Sequence, residues 1–282
     1  MKGEEAEGYV VKNINWFPGH MAKALRKMEE DVRLCDGIIY VLDSRAVFAC
    51  FNKRLFTVFG NKPVVYVINK RDLISDFAAR DIERYFREKG LVYELIDGLS
   101  KKDSQKIRSK CEWVMREKTE RNKQKGITKS LRFMVAGIPN TGKSTIINTL
   151  CGAKKAETGN KAGVTRSNKW VRFGGFELLD TPGTMPPNMS DQRYARHLAY
   201  IGSINDDILN SEDIALQLIG ELKEIAPNEF AEKYKLDSLD KTPLELFDEI
   251  CKKRGYLLRG GESDYERCSN AIIDDFRKGR IG

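Results

Sequence analysis

The sequence predicts a doubly wound α/β domain with a mostly parallel sheet, followed by a small all-α domain. Three observations support this. An apolar run, Leu131–Ala136, leads into Gly137-Ile-Pro-Asn-Thr-Gly-Lys-Ser144 and then Thr145–Cys151, which is the order strand, glycine-rich loop, helix. Short β-branched runs alternate with amphipathic stretches from Asp36 onward, as in a sheet with both faces covered. Beyond Pro186-Pro187 the strand-like runs stop and helical spacing takes over. The expected organisation is a leader over 1–13, an α/β domain over 14–187 and a helical domain over 188–282.

Residues 1–13 are polar, lack the apolar core of a signal or transit peptide, and read as a flexible leader. Ile14-Asn-Trp-Phe-Pro-Gly-His-Met21 is an aromatic turn ahead of a helix over Ala22–Arg33. Asp36–Asp43 and Pro63–Ile68 are buried-type strands, with a helix over Phe51–Phe59 between them. Asp76–Lys89 sets Phe77, Ile82, Tyr85 and Phe86 at helical spacing, and Leu91–Ile96 is a third strand. Asp103–Asn122 is a basic helix with an apolar stripe of Ile107, Cys111, Val114 and Met115. After the glycine-loop unit, Thr158–Asn168 is a glycine- and lysine-rich loop, and Lys169–Phe173 pairs with Phe176–Leu179 as a hairpin. Capping boxes at Thr242-Pro-Leu-Glu245 and Ser263-Asp-Tyr-Glu266 announce the last two helices.

Composition narrows the function classes. With 41% hydrophobic and 32% charged residues the chain reads as a soluble globular protein, and its longest apolar run, Gly37–Leu42, is far too short to span a bilayer. Six scattered cysteines, with no C-x-x-C and no nearby histidine, read as free thiols in a reducing cytoplasm. The net charge of +8 is uneven: residues 1–185 hold 35 basic and 22 acidic side chains, the remainder 14 and 19. Residues 101–132 alone carry 12 basic and 4 acidic groups. Such a field suits a polyanionic partner beyond any small ligand, although a well-solvated helix explains the same residues.

The glycine-rich loop is the pattern of a phosphate-binding P-loop. Its backbone N–H groups point at phosphates and the following helix adds its positive end. Asn140, Thr141, Gly142 and Thr145 would line the cradle, Lys143 would reach the β- and γ-phosphates, and the Ser144 hydroxyl would sit on Mg²⁺. Asn69-Lys70-Arg71-Asp72 directly follows a strand, at the edge where such sheets bind ligands. Asp72 there can accept two hydrogen bonds from guanine, which adenine cannot offer, so the nucleotide expected is GTP or GDP. Asp180-Thr-Pro-Gly183 ends another strand, with Asp180 on Mg²⁺ and the Gly183 amide at the γ-phosphate. Between them, Thr165 stands where a switch threonine would touch both Mg²⁺ and the γ-phosphate.

The order of these motifs is unusual. Small GTPases ordinarily present the P-loop first and the guanine motif later, whereas here Asn69–Asp72 precedes Gly137–Ser144. The domain reads as circularly permuted, cut after the D-x-x-G segment and rejoined. The segment after Gly183, which moves when γ-phosphate is lost, then leads straight into the helical region.

With Trp16-Phe-Pro-Gly-His-Met-Ala-Lys23 in front, and Ser203-Ile-Asn-Asp-Asp-Ile-Leu209 and Arg259-Gly-Gly-Glu262 behind, the chain closely resembles the YlqF/RbgA ribosome-biogenesis GTPases over about residues 14–280. The resemblance implies a GTPase acting late in assembly of the large ribosomal subunit, with a helical C-terminal domain on ribosomal RNA. It also implies that Asn140 helps bind K⁺, and that a loop matching Asp97-Gly98 completes guanine recognition, although that loop departs from the usual Ser-Ala. Expected partners are the precursor of the large subunit and no membrane, with the chain itself monomeric.

For hydrolysis, the position after D-x-x-G is Thr184, too short to orient water as glutamine does and unlike the family's aliphatic residue. The resemblance points instead to His20 as the group that orients or deprotonates water, beside Lys143 and Thr165; by itself a lone histidine in an aromatic turn is more often a structural residue. His197 reads as surface or packing. Lys252-Lys-Arg254 and Arg259 could meet RNA phosphate or simply end a solvated helix. A GTP-gated RNA-binding scaffold with incidental hydrolysis is the alternative to an enzyme.

Overall fold

The computed structural model describes residues 13–98, 100–151, 169–186 and 189–281. They form α1 (Gly19–Asp31), β1 (Gly37–Asp43), α2 (Lys53–Phe59), β2 (Val64–Asn69), α3 (Asp76–Glu88), β3 (Tyr93–Leu95), α4 (Lys101–Gln124), β4 (Leu131–Ala136), α5 (Lys143–Cys151), β5 (Lys169–Phe173) and β6 (Phe176–Asp180). There follow α6 (Gln192–Tyr200), α7 (Ser211–Ile225), α8 (Pro227–Tyr234), α9 (Pro243–Arg254) and α10 (Tyr265–Arg277). The leader, apart from Asn13, and the loop containing Thr165 lie outside the described residues.

The chain divides into two compact units. One comprises Trp16–Asn188 with Ile201–Asn205; the other comprises Met189–Tyr200 and Asp206 onward, with the described residues before Trp16. The first is built on one six-stranded sheet of order β3-β2-β1-β4-β6-β5. Every neighbouring pair is parallel except the β5–β6 hairpin. A chain running β4-β5-β6 and then β1-β2-β3 would fill the same sheet in the ordinary P-loop order, so the permutation leaves the neighbours unchanged. β1 and β4 lie side by side at the centre while their next strands go opposite ways. The crevice at their C-terminal ends is therefore the switch point where ligands bind in such sheets.

Strand alternation gives the sheet two apolar faces. Ile39, Val41, Val65, Val67, Phe133 and Val135 point into one core with the α4 residues Ile107, Cys111 and Met115 and the α5 residues Ile146 and Ile147. Tyr40 of β1 points the other way, into edge-on rings of Phe56 and Phe59 from α2, and it meets Tyr66 of β2, which packs on Phe86 of α3. Such ring pairs add about 0.5–1.5 kcal/mol each beyond burial. The Tyr40 hydroxyl donates to the Cys50 carbonyl and accepts from the Asn52 amide, so that hydroxyl is satisfied within the core.

The second unit is a helical bundle around α7, whose Ile214, Ala215, Leu218, Ile219 and Leu222 form a buried stripe at helical spacing. Asn210 caps α7 by accepting from the Glu212 and Asp213 amides. The box expected at Thr242–Glu245 is present in full. The one expected at Ser263–Glu266 is not: Asp264 is the cap, accepting from Arg267, and the Ser263 hydroxyl donates to Asp248 instead. A carboxylate one residue on outcompetes the hydroxyl for the helix amide. Arg277 holds the end of α6 by donating to the Ala199 and Tyr200 carbonyls while pairing with Asp206.

His197 is not a bare surface residue, since its Nε2 meets Glu221 Oε2 at 2.8 Å while Tyr200 donates to Oε1. Burial pushes the Glu221 carboxyl up, but the His197 contact and the Tyr200 hydrogen bond prevail and hold it below the ordinary glutamate range. A lowered folded-state value means the stabilisation is full above the unfolded glutamate range, about 4.3, and is lost as pH falls through the folded value. Glu221→Gln is therefore expected to lower stability by about 1 kcal/mol at pH 6, the worth of one such hydrogen bond. The gap should close near pH 3 in parallel denaturation curves, and a gap constant across that range would show the charge to be irrelevant.

Candidate nucleotide-binding site

The site is assembled at the C-terminal edge of β1, β2, β4 and β6. Its P-loop turns between β4 and α5 through Gly137, Asn140 and Gly142, all with positive φ, at 153°, 60° and 91°. A Cβ on Gly142 would overlap the Asn69 amide, so this position requires glycine.

Asn69 ends β2 and is 2% exposed. Its Nδ2 donates to the Thr141 carbonyl at 2.8 Å, and its Oδ1 accepts from the Gly98 amide at 2.7 Å. Both ends of the side chain thus tie the P-loop to the loop after β3. Thr149 of α5 donates to the Gly98 carbonyl at 2.8 Å, holding that loop from the other side. A Cβ on Gly98 would come within 2.6 Å of Asn69 Oδ1, so a larger residue there would require the Asn69 side chain to shift. Asp97 adjoins α4, its amide donating to Asp103 at 3.3 Å.

Lys70 adopts φ 64° and reaches back across the P-loop, donating to the Asn140 carbonyl at 2.9 Å and pairing with Asp43 at 2.7 Å. Asp43 ends β1, is fully buried, and also holds Arg45 at 2.6 Å. Burial pushes the Asp43 carboxyl up, yet the Arg45 and Lys70 partners outweigh it and keep the group below its ordinary range. The Ser44 hydroxyl donates to the Lys70 carbonyl at 2.8 Å, fixing the unusual backbone. This Asp43-Ser44-Arg45 support belongs to none of the sequence motifs. Its one sequence signal is an acid at the end of an apolar strand on the ligand edge.

Asp72, next in the turn, is exposed and its side chain makes no hydrogen bond or ion pair among the described residues. Its carboxylate is available to a ligand at the same strand edge.

On the phosphate side, Lys143 is 7% exposed and donates to the Ile138 carbonyl at 2.6 Å. Burial pulls its ammonium down to about 8, and the Asp180 carboxylate of β6 opposes that pull. The D-x-x-G segment comes close: a Cβ on Gly183 would lie 2.7 Å from the Pro139 backbone and 2.9 Å from Lys143 Nζ. The Thr184 amide donates to the Gly137 carbonyl at 3.3 Å. Thr184 itself is fully buried, so its hydroxyl is screened from solvent water. Ser144 and Thr145 occupy the first turn of α5. The Ser144 hydroxyl and the Asp180 carboxylate are hard oxygen donors on adjacent elements, a set that suits a divalent cation.

Asn140 donates through Nδ2 to the Gly202 carbonyl at 2.5 Å, and its amide oxygen is of the donor type that coordinates a monovalent cation. Ser203, fully buried, donates to the Pro139 carbonyl at 2.8 Å. Thus Ile201–Asn205, a short segment between helices far along the chain, is bound to the P-loop. His20 lies exposed on the first turn of α1 and makes no hydrogen bond or ion pair among the described residues.

The basic residues near the end of α9 are engaged internally. Lys252 pairs with Asp248, Lys253 with Glu249 and Asp237, and Arg254 lies over the Tyr234 ring. Arg259 is exposed and makes no such contact among the described residues.

Comparison with known proteins points the same way. A family model described as a 50S ribosome-binding GTPase matches residues 132–248, starting in the P-loop strand. The chain is 36% identical to Ribosome biogenesis GTPase A of Bacillus cereus, over 95% of this chain and 92% of that one. It is likewise 36% identical to Ribosome biogenesis GTPase A of Priestia megaterium, over 95% and 94%. Its fold matches the crystal structure of GNP-bound YlqF from T. maritima with a TM-score of 0.63 and 25% identity, over 92% of this chain and 97% of that one.

Proposed function

The chain belongs to the ribosome biogenesis GTPase A family, and from that premise we propose that it uses GTP hydrolysis to drive or check a late step in assembly of the large ribosomal subunit. It is a GTP hydrolase. The observation that carries the nucleotide reading is Asn69, whose amide binds both the P-loop and the loop after β3 although the chain presents these in reversed order. Asp72 reads the guanine edge, with the Asp97-Gly98 loop closing over the base. Asn140, Thr141, Gly142, Ser144 and Thr145 cradle the phosphates, and Lys143 neutralises the β- and γ-oxygens. Ser144 and Asp180, with Thr165, would hold Mg²⁺, which when bound supplies charge neutralisation to the phosphates, and Asn140 would contribute to a K⁺ site.

Thr184 is buried, so water must be oriented by another group, and His20, exposed at the start of α1, is the candidate. His20→Ala is expected to slow precursor-stimulated hydrolysis by about 10²–10⁴-fold, the usual worth of general acid–base assistance, with GTP affinity nearly unchanged. Stopped-flow binding and single-turnover hydrolysis check this; a matching collapse of affinity would assign the residue to the fold.

The partner is the large-subunit precursor in the cytoplasm, met by a monomeric chain whose helical unit contacts ribosomal RNA. Among the described residues no helix is long and apolar enough to cross a membrane. Nucleotide state passes to the helical unit along the chain by two routes: from Gly183 forward, and through Ile201–Asn205, which hydrogen-bonds Pro139 and Asn140 and continues at both ends into helical-unit sequence. Co-sedimentation with precursor particles in a non-hydrolysable GTP analogue, and release in GDP, is the expected behaviour. Equal recovery in both states would overturn the coupling.

A further inference from the structure

A groove at the opposite edge of the sheet takes no part in nucleotide chemistry. It lies beside Leu131 and Phe176, the first residues of β4 and β6, between the C-terminal half of α4 and the β5–β6 turn, and encloses about 850 Å³. At about 3.3 Å per residue, β4 puts it roughly 20 Å from the P-loop.

Its cations are Arg108, Arg116, Lys123 and Lys129. Arg108 is fixed, its guanidinium against the turn glycine Gly174 and its Nε donating to Glu112 at 2.8 Å. Arg116 stands over the Trp113 ring, 4.4 Å from the centroid, and donates to the Trp113 carbonyl. The side chains of Lys123 and Lys129 make no hydrogen bond or ion pair among the described residues. Of the acids at the groove, Glu112 is paired with Arg108 and Glu120 accepts from Gln124. Trp113 is 53% exposed on the side of α4 away from its buried stripe. Trp113 is not itself a lining residue; Arg116, which lines the groove, reaches over the exposed indole, so a stacking platform adjoins the track that bears Lys123 and Lys129, the two features that single-stranded nucleic acids require.

We propose that this groove binds a single-stranded RNA segment, with phosphates on Arg116, Lys123 and Lys129 and a base stacked on Trp113. The proposal rests on the RNA-containing partner assigned above. An acidic peptide would satisfy the cations and leave the indole uncovered, and an A-form duplex presents no open base face to it.

The test uses the full chain and a fluorescent oligouridylate of about ten nucleotides, within the usual span for single-strand sites. Lys123→Glu with Lys129→Glu is expected to weaken binding at least about tenfold and to flatten the dependence of log affinity on log salt by about 1.4, from two lost phosphate contacts. Trp113→Ala should weaken binding by about fivefold or more with the salt slope unchanged, as lost stacking requires. GTP affinity and basal hydrolysis should stay at wild-type values in all variants. Unchanged RNA affinity in the charge-reversed variant overturns the proposal, as does equal competition by polyglutamate of matching length. Stimulation of wild-type hydrolysis by precursor particles, measured alongside, separates the cases: stimulation without groove-dependent RNA binding removes this inference alone, whereas groove-dependent binding without stimulation removes the assembly role and keeps the groove.

Discussion

Asp72→Asn is expected to convert a guanine site into a xanthine site. In the proposed site the exposed carboxylate would accept from the ring N–H and the exocyclic amine of guanine, and charge-assisted bonds contribute about 1.5–3 kcal/mol each. Replacing one carboxylate oxygen by an NH₂ sets a donor against the guanine amine. The remaining oxygen still accepts from the ring N–H, so loss of the bond to the amine, about 1.5–3 kcal/mol, corresponds to a fall in GTP affinity of roughly one to two orders of magnitude. Xanthine carries a carbonyl where guanine has the amine, so the same NH₂ pairs with it and XTP affinity should rise. Competition of GTP and XTP against a fluorescent nucleotide reads both changes. The fold should be unaffected, because the Asp72 side chain makes no hydrogen bond or ion pair among the described residues. Unaltered base selectivity would mean that another group reads the base.

The second large effect is expected at Asp43. Its carboxylate is fully buried and is the shared partner of Arg45 at 2.6 Å and Lys70 at 2.7 Å. Removing one member of a buried ionic cluster costs about 3–5 kcal/mol, because the remaining charges stay desolvated without compensation. Asp43→Ala should lose stability on that scale in chemical denaturation. GTP affinity should fall as well, since Lys70 would lose the anchor that holds it over the Asn140 carbonyl. A loss below about 1 kcal/mol would place Lys70 and Arg45 in contact with water and remove Asp43 from the supporting shell.

Much of the sheet unit was legible because its signals are local. The run Leu131–Ala136 forms β4 with those boundaries, and the stripe Ile107, Cys111 and Met115 is the buried face of α4. The strand expected over Leu91–Ile96 shortens to Tyr93–Leu95, an edge strand whose only sheet neighbour among the described residues is β2. Helix α1 starts at Gly19 rather than Ala22, because the Pro18 carbonyl already accepts from the Met21 amide. The motifs of the site were legible through glycine spacing, but their support was not. The Asp43–Lys70 pair, the hold of Asn69 on Thr141 and Gly98, and the hydrogen bonds from Asn140 and Ser203 join residues 27 to 72 positions apart. Only the folded sheet brings such residues together, and no periodicity records them. The switch threonine expected at Thr165 lies outside the described residues.

Single-turnover GTP hydrolysis by the full chain, measured with and without purified large-subunit precursor, tests the hydrolase role most directly. Unassisted GTPases turn over at about 10⁻⁴ to 10⁻² per second. The predicted result is a slow intrinsic rate in that range and a rise of at least about a hundredfold with precursor, abolished in the His20→Ala variant. The same slow rate in both conditions would contradict it and describe a GTP-gated scaffold.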